Sequence, residues 1–303
     1  MLIDGTFIED TYAEAFTMRV SRLIITAESA RWAATAARVM TGFATSVIGC
    51  GCEAGPEGPL PGETPDGRPG VRVLLFARNA EAIQQELVRR VGQCVMTSAG
   101  SACFDDLPSE ETVRLGSLLR FFGDGFQVSK QIEPSLAEAL AGPRRRFWRI
   151  PVMDGEFLVE DRAGVRKGVA GGNFLILGET AGAALIAAER AVEAIQTLPG
   201  VILPFPGGIV RSGSKVGSKY KKMIASTNSA YCPTLRRSVA TALPEEAGGV
   251  YEIVIDGLGL SEVERATAVG VRAACGPGVV RISAGNYGGK LGKHLIRLRP
   301  LLQ

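Results

Sequence analysis

Val250-Tyr251-Glu252-Ile253-Val254-Ile255-Asp256 is the stretch on which a reading of this chain turns. It is apolar and β-branched enough to be a buried strand, yet a carboxylate sits near its start. Side chains alternate along a strand, so Glu252 shares a face with Val254 and Asp256 while Tyr251, Ile253 and Ile255 point the other way. Such a glutamate is either an edge residue reaching water or a group held in a partly dry site. The strand alone leaves both open.

Working outward, Phe174-Leu175-Ile176-Leu177 reads as another strand, followed by an Ala-rich helix that aligns Leu185, Ala188, Val192 and Ile195. The first half carries the same order. Ser21 to Thr26 reads as a strand, and Glu28 to Met40 as a helix with Trp32, Ala36, Val39 and Met40 on one face. Thr45 to Cys50 and Val71 to Ala77 read as strands, and Asn79 to Val91 as a helix. A strand starts at Cys94 to Thr97, and Ser109 to Phe122 reads as a helix. Between them, the glycine and proline density of Gly51 to Gly70 predicts a long structured loop.

The halves correspond element by element. Arg22-Leu23-Ile24-Ile25 matches Phe174-Leu175-Ile176-Leu177, Asn79 matches Asn228, and Asp105-Asp106-Leu107 matches Asp256-Gly257-Leu258. Ser109-Glu110 matches Ser261-Glu262, with Ser261 and Glu264 spaced as a capping box. The offset stays near about 150 residues, as a tandem duplication would give. Each half then reads strand, helix, strand, strand, helix, strand. The expected fold class is α+β, two tandem ferredoxin-like (βαββαβ) α/β-sandwich lobes from an internal duplication. The lobes are expected at residues 1–147 and 148–303, with the seam in Glu133 to Arg146, where Arg144-Arg145-Arg146 reads as a solvated turn.

Of the 303 residues, 46% are hydrophobic and 21% charged, the balance of a water-soluble globular protein. A net charge of +3 gives no argument for nucleic acid. No basic, apolar leader opens the sequence and no uncharged run reaches about 18 residues, so a cytoplasmic protein with no membrane partner is expected. Six cysteines without a Cys-x-x-Cys pair read as reduced and mostly buried. His294 is the single histidine. A Ser-His-Asp triad, a Cys-His dyad or a His-rich metal centre would all have to rest on it, so no metal is expected.

Glycine-rich segments crowd the second half, at 168–173, 204–208, 212–219 and 285–293. None has the spacing of a phosphate cradle, since Leu291 follows Lys290 and no Gly-x-Gly-x-x-Gly links a strand to a helix. Lys215, Lys219, Lys221, Lys222, Lys290 and Lys293 recur beside these glycines, which fits bare backbone against an extended anionic ligand.

Three strings in this half are long: Pro204-Phe205-Pro206-Gly207-Gly208-Ile209-Val210, Gly249 to Gly257 around the opening strand, and Ala284-Gly285-Asn286-Tyr287-Gly288-Gly289-Lys290. With Ile8-Glu9-Asp10-Thr11, Thr64 to Gly70 and Phe121-Phe122-Gly123-Asp124-Gly125, they make the chain resemble formylmethanofuran:tetrahydromethanopterin formyltransferases over its whole length. The mildly basic charge and the stretch around Ser129 to Arg146 resemble the form found in methylotrophic bacteria.

That resemblance implies an enzyme of one-carbon metabolism that moves a formyl group between methanofuran and tetrahydromethanopterin, towards formylmethanofuran in bacteria. It implies two α/β-sandwich lobes, no bound cofactor, and a homo-oligomer or membership of a formyltransferase/hydrolase complex. Glu252 matches the family's catalytic glutamate. With no usable histidine, a carboxylic acid kept neutral by burial is the natural proton donor. Ser212, Lys215, Asn286, Tyr287 and Lys290 are the substrate-binding candidates. A silent scaffold protein and a pterin-binding carrier are the alternatives.

Overall fold

A computed structural model describes residues 1–131, 145–213 and 215–303. By contacts the chain divides into two compact units, Met18–Lys167 and Met1–Thr17 together with Gly168–Gln303. Most of the expected seam, Arg144 and Ser214 lie outside the described residues. Each unit is an α/β structure built on a mixed sheet.

In the unit Met18–Lys167, the strand segment ending at Thr26 pairs antiparallel with Gly70–Ala77 on one side and Ala102–Asp105 on the other. Gly155–Glu160 adds parallel to Ala102–Asp105, and Arg146–Val152 adds antiparallel to it. The expected position 147/148 thus falls inside a strand. The helix Ala30–Thr41, capped by the Ser29 hydroxyl, buries Ala33, Ala36, Ala37 and Met40. Trp32 and Val39, expected on that face, are exposed because three small alanines let the helix lie closer to the sheet. Asn79 caps Ala80–Arg90 through a 2.8 Å bond from the Ala82 N–H.

Four local expectations in this unit are corrected. Thr45 to Cys50 is not a strand: Val47–Cys50 is a helical turn capped by Ser46. The expected loop 51–70 holds a strand, Glu53–Leu60, whose one ladder partner among the described residues is Gly70–Ala77. Pro56 and Pro59 are tolerated because an edge strand has a free side for residues that cannot donate, and the register slips between Pro56 and Gly58. Cys94 to Thr97 does not start a strand either. The preceding helix runs on as a π-type turn, Val91–Val95, and the strand waits until Ala102. Ser109 to Phe122 is broken into a strand, Thr112–Arg114, and a short helix, Gly116–Leu119, because Thr112–Arg114 finds a partner in Arg162–Gly164.

In the other unit, Gly249–Gly257 runs antiparallel to Arg166–Gly178 with Leu175 opposite Glu252. Val279–Ser283 pairs on the far side of Arg166–Gly178, setting Ser283 opposite Leu175. The first residues of the chain complete this sheet. Thr6–Ile8 lies parallel to Val279–Ser283, and Tyr12–Ala15 pairs with His294–Arg297. The helices Ala181–Ile195 and Leu260–Ala274 bury Ala188, Ile195, Val263 and Ala266 against Phe174, Ile176, Ile253 and Ile255. The expected capping box is absent: Gly259 is the N-cap of Leu260–Ala274, and the Ser261 hydroxyl lies within the helix, bonded to Glu262. Asn228 precedes only a single 3-10 turn, Ser229–Tyr231, and caps nothing with its side chain.

The strand alternates as its residue pattern dictates. Ile253 and Ile255 meet the helices, whereas Leu175, Leu177 and Val250 on the opposite face are covered by Tyr231, Leu243 and Ala247. Glu252 belongs to that second face, under an irregular segment instead of under a helix. At the other end of the strand, Gly249 pairs with Gly178 where the helix Ala181–Ile195 begins. A Cβ on Gly249 would lie 2.4 Å from the Ala181 Cα, so the helix approaches only because both strand positions are bare. Gly249→Ala is expected to destabilise this unit by about 1–3 kcal/mol through overpacking against backbone. A shift of the urea midpoint at unchanged slope would check it, and an unshifted midpoint would mean that the helix moves without cost.

Candidate active site

Glu252 is 5% exposed in the middle of its strand, neither at an edge nor in open solvent. Its backbone also bonds Val210 in both directions, at 3.0 and 2.8 Å, so the sheet and a loop from earlier in the chain hold it from two sides. On the neighbouring strand Asn173 stands two pairs along from Leu175, on the same face and diagonal to Glu252. Asn173 Nδ2 donates to Glu252 Oε1 at 2.8 Å, and the Gly285 N–H donates to Asn173 Oδ1 at 2.8 Å. Burial pushes the Glu252 carboxyl up to about 7, and the single bond from Asn173 offsets only part of that.

The residues after Ser283 run past Asn173, and a second buried carboxylate shapes them. Glu14 Oε1 accepts from the Tyr287 and Gly289 N–H groups at 2.6 and 2.8 Å, and Oε2 accepts from Leu291 and Gly292 at 2.8 and 3.0 Å. Gly288 and Gly289 take φ of 75° and 72°, which lets consecutive N–H groups converge on one anion. Burial works to raise the Glu14 pKa, but the four donors outweigh it and hold the carboxyl below its ordinary value. The turn places Tyr287 near Glu252. Its phenol is raised by burial first, then by Glu252, Glu14 and Tyr231. Tyr231 in turn meets Ser283 through their hydroxyls at 3.3 Å.

A cavity of about 40 Å³ reaches Glu252, lined also by Val210, Ser212, Asn228, Tyr231 and Cys232. A single water needs about 10–15 Å³ of such space, so the cavity admits a small group and not a whole coenzyme. A larger open groove of about 670 Å³ belongs to the other unit, lined by Met96, Phe122, Val152 and Met153. Among the described residues Asp154 is its one titratable group, with no partner there for acid–base chemistry.

The sequence-derived residues divide accordingly. Glu252 and Ser212 share the cavity, and Tyr287 is electrostatically coupled to Glu252. Asn286 is exposed, accepting from the Gly288 N–H at 2.8 Å and reaching Thr11 at 3.3 Å. Lys215 bonds the Ser229 hydroxyl at 3.5 Å and Lys290 is exposed; neither lines the cavity. His294 bonds the Thr17 hydroxyl at 2.9 Å within a strand pair. Among the described residues no group of three or more His, Cys, Asp or Glu could hold a metal ion. Glu14, Asn173, Tyr231 and Ser283 were not singled out from sequence. The local signals were an acid at alternate spacing from the apolar residues of Tyr12–Thr26 and a polar residue ending the run Gly168 to Asn173.

Comparison with known proteins bears on this geometry. Residues 1–152 match the family described as formylmethanofuran-tetrahydromethanopterin formyltransferase, and residues 155–301 match its proximal lobe. The formylmethanofuran–tetrahydromethanopterin formyltransferase of Methylococcus capsulatus is 54% identical over all of both chains. A component of the formyltransferase/hydrolase complex of Methylorubrum extorquens is 52% identical over 99% of this chain and 97% of its own. The crystal structure of that organism's complex with methylofuran superposes with a TM-score of 0.94 at 50% identity, covering 100% of this chain and 99% of that one. The formyltransferase of Methanosarcina barkeri gives 0.91 at 48%, over 99% and 100%.

The raised Glu252 pKa has a consequence for stability that needs no substrate. Between the ordinary carboxyl value of 4.5 and about 7 the folded chain holds a proton that the unfolded chain has released, so stability falls as pH rises through that window. The loss above pH 7 is on the order of 3 kcal/mol. Glu252→Gln has no proton to lose, so its stability relative to wild type is expected to be near level at pH 4.5 and to rise towards that amount by pH 8. Parallel Tm profiles for the two proteins from pH 4.5 to 8 would contradict the buried carboxyl described here.

Proposed function

This chain belongs to the formylmethanofuran–tetrahydromethanopterin formyltransferase family, and from that premise we infer that Glu252, kept neutral by burial, is the acid its site works with. The enzyme transfers a formyl group between methanofuran and tetrahydromethanopterin, and both are substrates. In the bacterial direction the group passes from formyl-tetrahydromethanopterin to methanofuran, as suits a relative that works inside a formyltransferase/hydrolase complex.

The chemistry asks for a donor at one point. An amine nitrogen attacks the formyl carbon, the carbonyl electron pair moves to oxygen, and a tetrahedral carbon forms. Its bond to the departing nitrogen then breaks. The attacking nitrogen gives up one proton and the departing nitrogen takes one, so the reaction is proton-neutral. The charge on oxygen in between is what a neutral carboxyl in a dry site stabilises, and the same carboxyl relays the proton. One observation carries this reading: a carboxyl in the cavity, 5% exposed, lifted to about 7. Direct attack of one coenzyme on the other needs no covalent enzyme intermediate and no resident cofactor, so Cys50, Cys52 and Cys232 have no nucleophilic part.

Ser212 and Tyr287 bind the reacting end in this reading, while Asn286, Lys215 and Lys290 meet the anionic remainder of the substrates. The finer reading of the fold is retained with it: two related ferredoxin-like lobes at residues 1–147 and 148–303. It is supported by family matches that meet between residues 152 and 155 and by the strand-then-helix start of both halves. No helix of the described residues is long and apolar enough to cross a membrane. We place the enzyme in the cytoplasm, in a homo-oligomer or in a complex like that of its Methylorubrum relative.

Glu252→Ala is expected to lower kcat by about 10²–10³ with both substrates still bound. Glu252→Gln keeps a donor without a transferable proton and is expected to remain slow. The wild-type rate is expected to fall as pH rises through about 7, a limb the Gln variant lacks. Near-normal kcat in folded Glu252→Ala protein would end the proposal. For the lysines, exposed attraction is screened beyond about 8–10 Å at moderate salt. Lys215→Ala and Lys290→Ala are therefore expected to raise KM more than they lower kcat, and wild-type KM and salt dependence in both would make them surface charges only.

A further inference from the structure

We infer that Asn173 is a positioning residue: its amide fixes which oxygen of Glu252 carries the acid proton, leaving that proton on Oε2, the oxygen the amide does not meet. The inference rests on the reading of Glu252 as the acid, and it follows from a chain of donors that admits one arrangement. A backbone N–H only donates, so the Gly285 N–H at 2.8 Å holds Asn173 Oδ1 in place. That turns Nδ2 towards Glu252, 2.8 Å from Oε1. An amide nitrogen also only donates, so Oε1 must accept. A neutral carboxyl has one proton, and it is left for Oε2.

The neighbourhood is built around this amide. Asn173 is 9% exposed, and a Cβ on Gly285 would lie 2.5 Å from its Nδ2, so glycine at 285 is what lets the amide sit there. Arg211, Tyr231, Cys232 and Tyr251 share the cavity with Glu252, and Tyr287 approaches on the 285–292 turn that Glu14 holds from the strand Tyr12–Thr26. The hydrogen bond that fixes the Glu252 carboxyl comes from Asn173. With Asn173 as donor to the unprotonated oxygen, the acid cannot turn its proton inward, away from substrate. Removing the donor frees the carboxyl to carry its proton on either oxygen.

The test reads Glu252 directly, by ¹³C NMR titration of its labelled carboxyl in the full chain, with Glu252→Gln used to assign the signal and Cys232→Ser to remove the nearby thiol. Asn173→Asp keeps the shape and the bond from Gly285 but sets a second carboxyl against Oε1. The pair is then expected to share a proton, raising the upper titration step by about 1 unit or more. Plateau kcat is expected to fall about tenfold or more, since the proton is drawn to Oε1. Gly285→Ala, which leaves Asn173 in the chain but pushes its amide away, is expected to move the titration in the same direction by a smaller amount. Matching shifts in the pH limb of formyl transfer complete the expected result. Folded Asn173→Asp and Gly285→Ala proteins with an unmoved Glu252 titration would overturn the inference. A moved titration with an unmoved activity profile would leave Asn173 positioning the carboxyl and overturn the catalytic reading of Glu252 instead.

Discussion

Four backbone N–H groups converge on the carboxylate of Glu14, and the turn that carries Tyr287 and bonds Asn173 depends on that convergence. Charge-assisted bonds of this kind are stronger than neutral ones, and they are made to a group already fixed in a strand. The turn 285–292 thereby takes its shape from the opposite end of the chain. Gly292 shows how close the approach is: a Cβ there would lie 2.6 Å from the Ala15 carbonyl oxygen. Without the anion, the four N–H groups would have to find other partners, and Tyr287 would lose its place beside Glu252.

The contrast with Glu252 explains how one sheet supports two buried glutamates with opposite properties. Both are nearly inaccessible, at 3% and 5% exposure. Glu14 is met by four donors and stays ionised. Among the described residues Glu252 is met by one amide, and it is driven towards neutrality. Burial sets the cost of charge, and the number of donors decides whether that cost is met. A buried anion and a buried carboxyl that burial favours in its neutral form thus arise within one unit from the same residue type.

The sheet's two faces divide the labour. One face is packed by two helices at close range, with glycines at 178 and 249 allowing the approach. The other is covered by Tyr231, Leu243 and Ala247, from a segment with little regular structure, and there Glu252 and Ser283 flank Leu175 on three neighbouring strands, with Asn173 two residues along the middle one. A rigid face supports the strand positions while the irregular cover leaves a gap. This is the arrangement that a site holding groups to within fractions of an ångström requires.

Periodicity was enough to read the helix Ala181–Ile195, the strand Gly249–Gly257 and the side to which Glu252 points, because alternation and helical spacing are local properties. The same strand and its flanking loops carried the family resemblance and with it the acid. Local patterns misjudged Glu53–Leu60, where an edge position tolerates prolines, and the helix expected at Ser109 to Phe122, where a distant strand claims the backbone. The Asn173–Glu252, Gly285–Asn173 and Tyr287–Glu14 bonds join residues 79, 112 and 273 positions apart. Such pairings leave no periodic trace, since each member has an ordinary local context. Only the tertiary structure, by counting donors around each buried carboxyl, decided which glutamate is charged and which holds a proton.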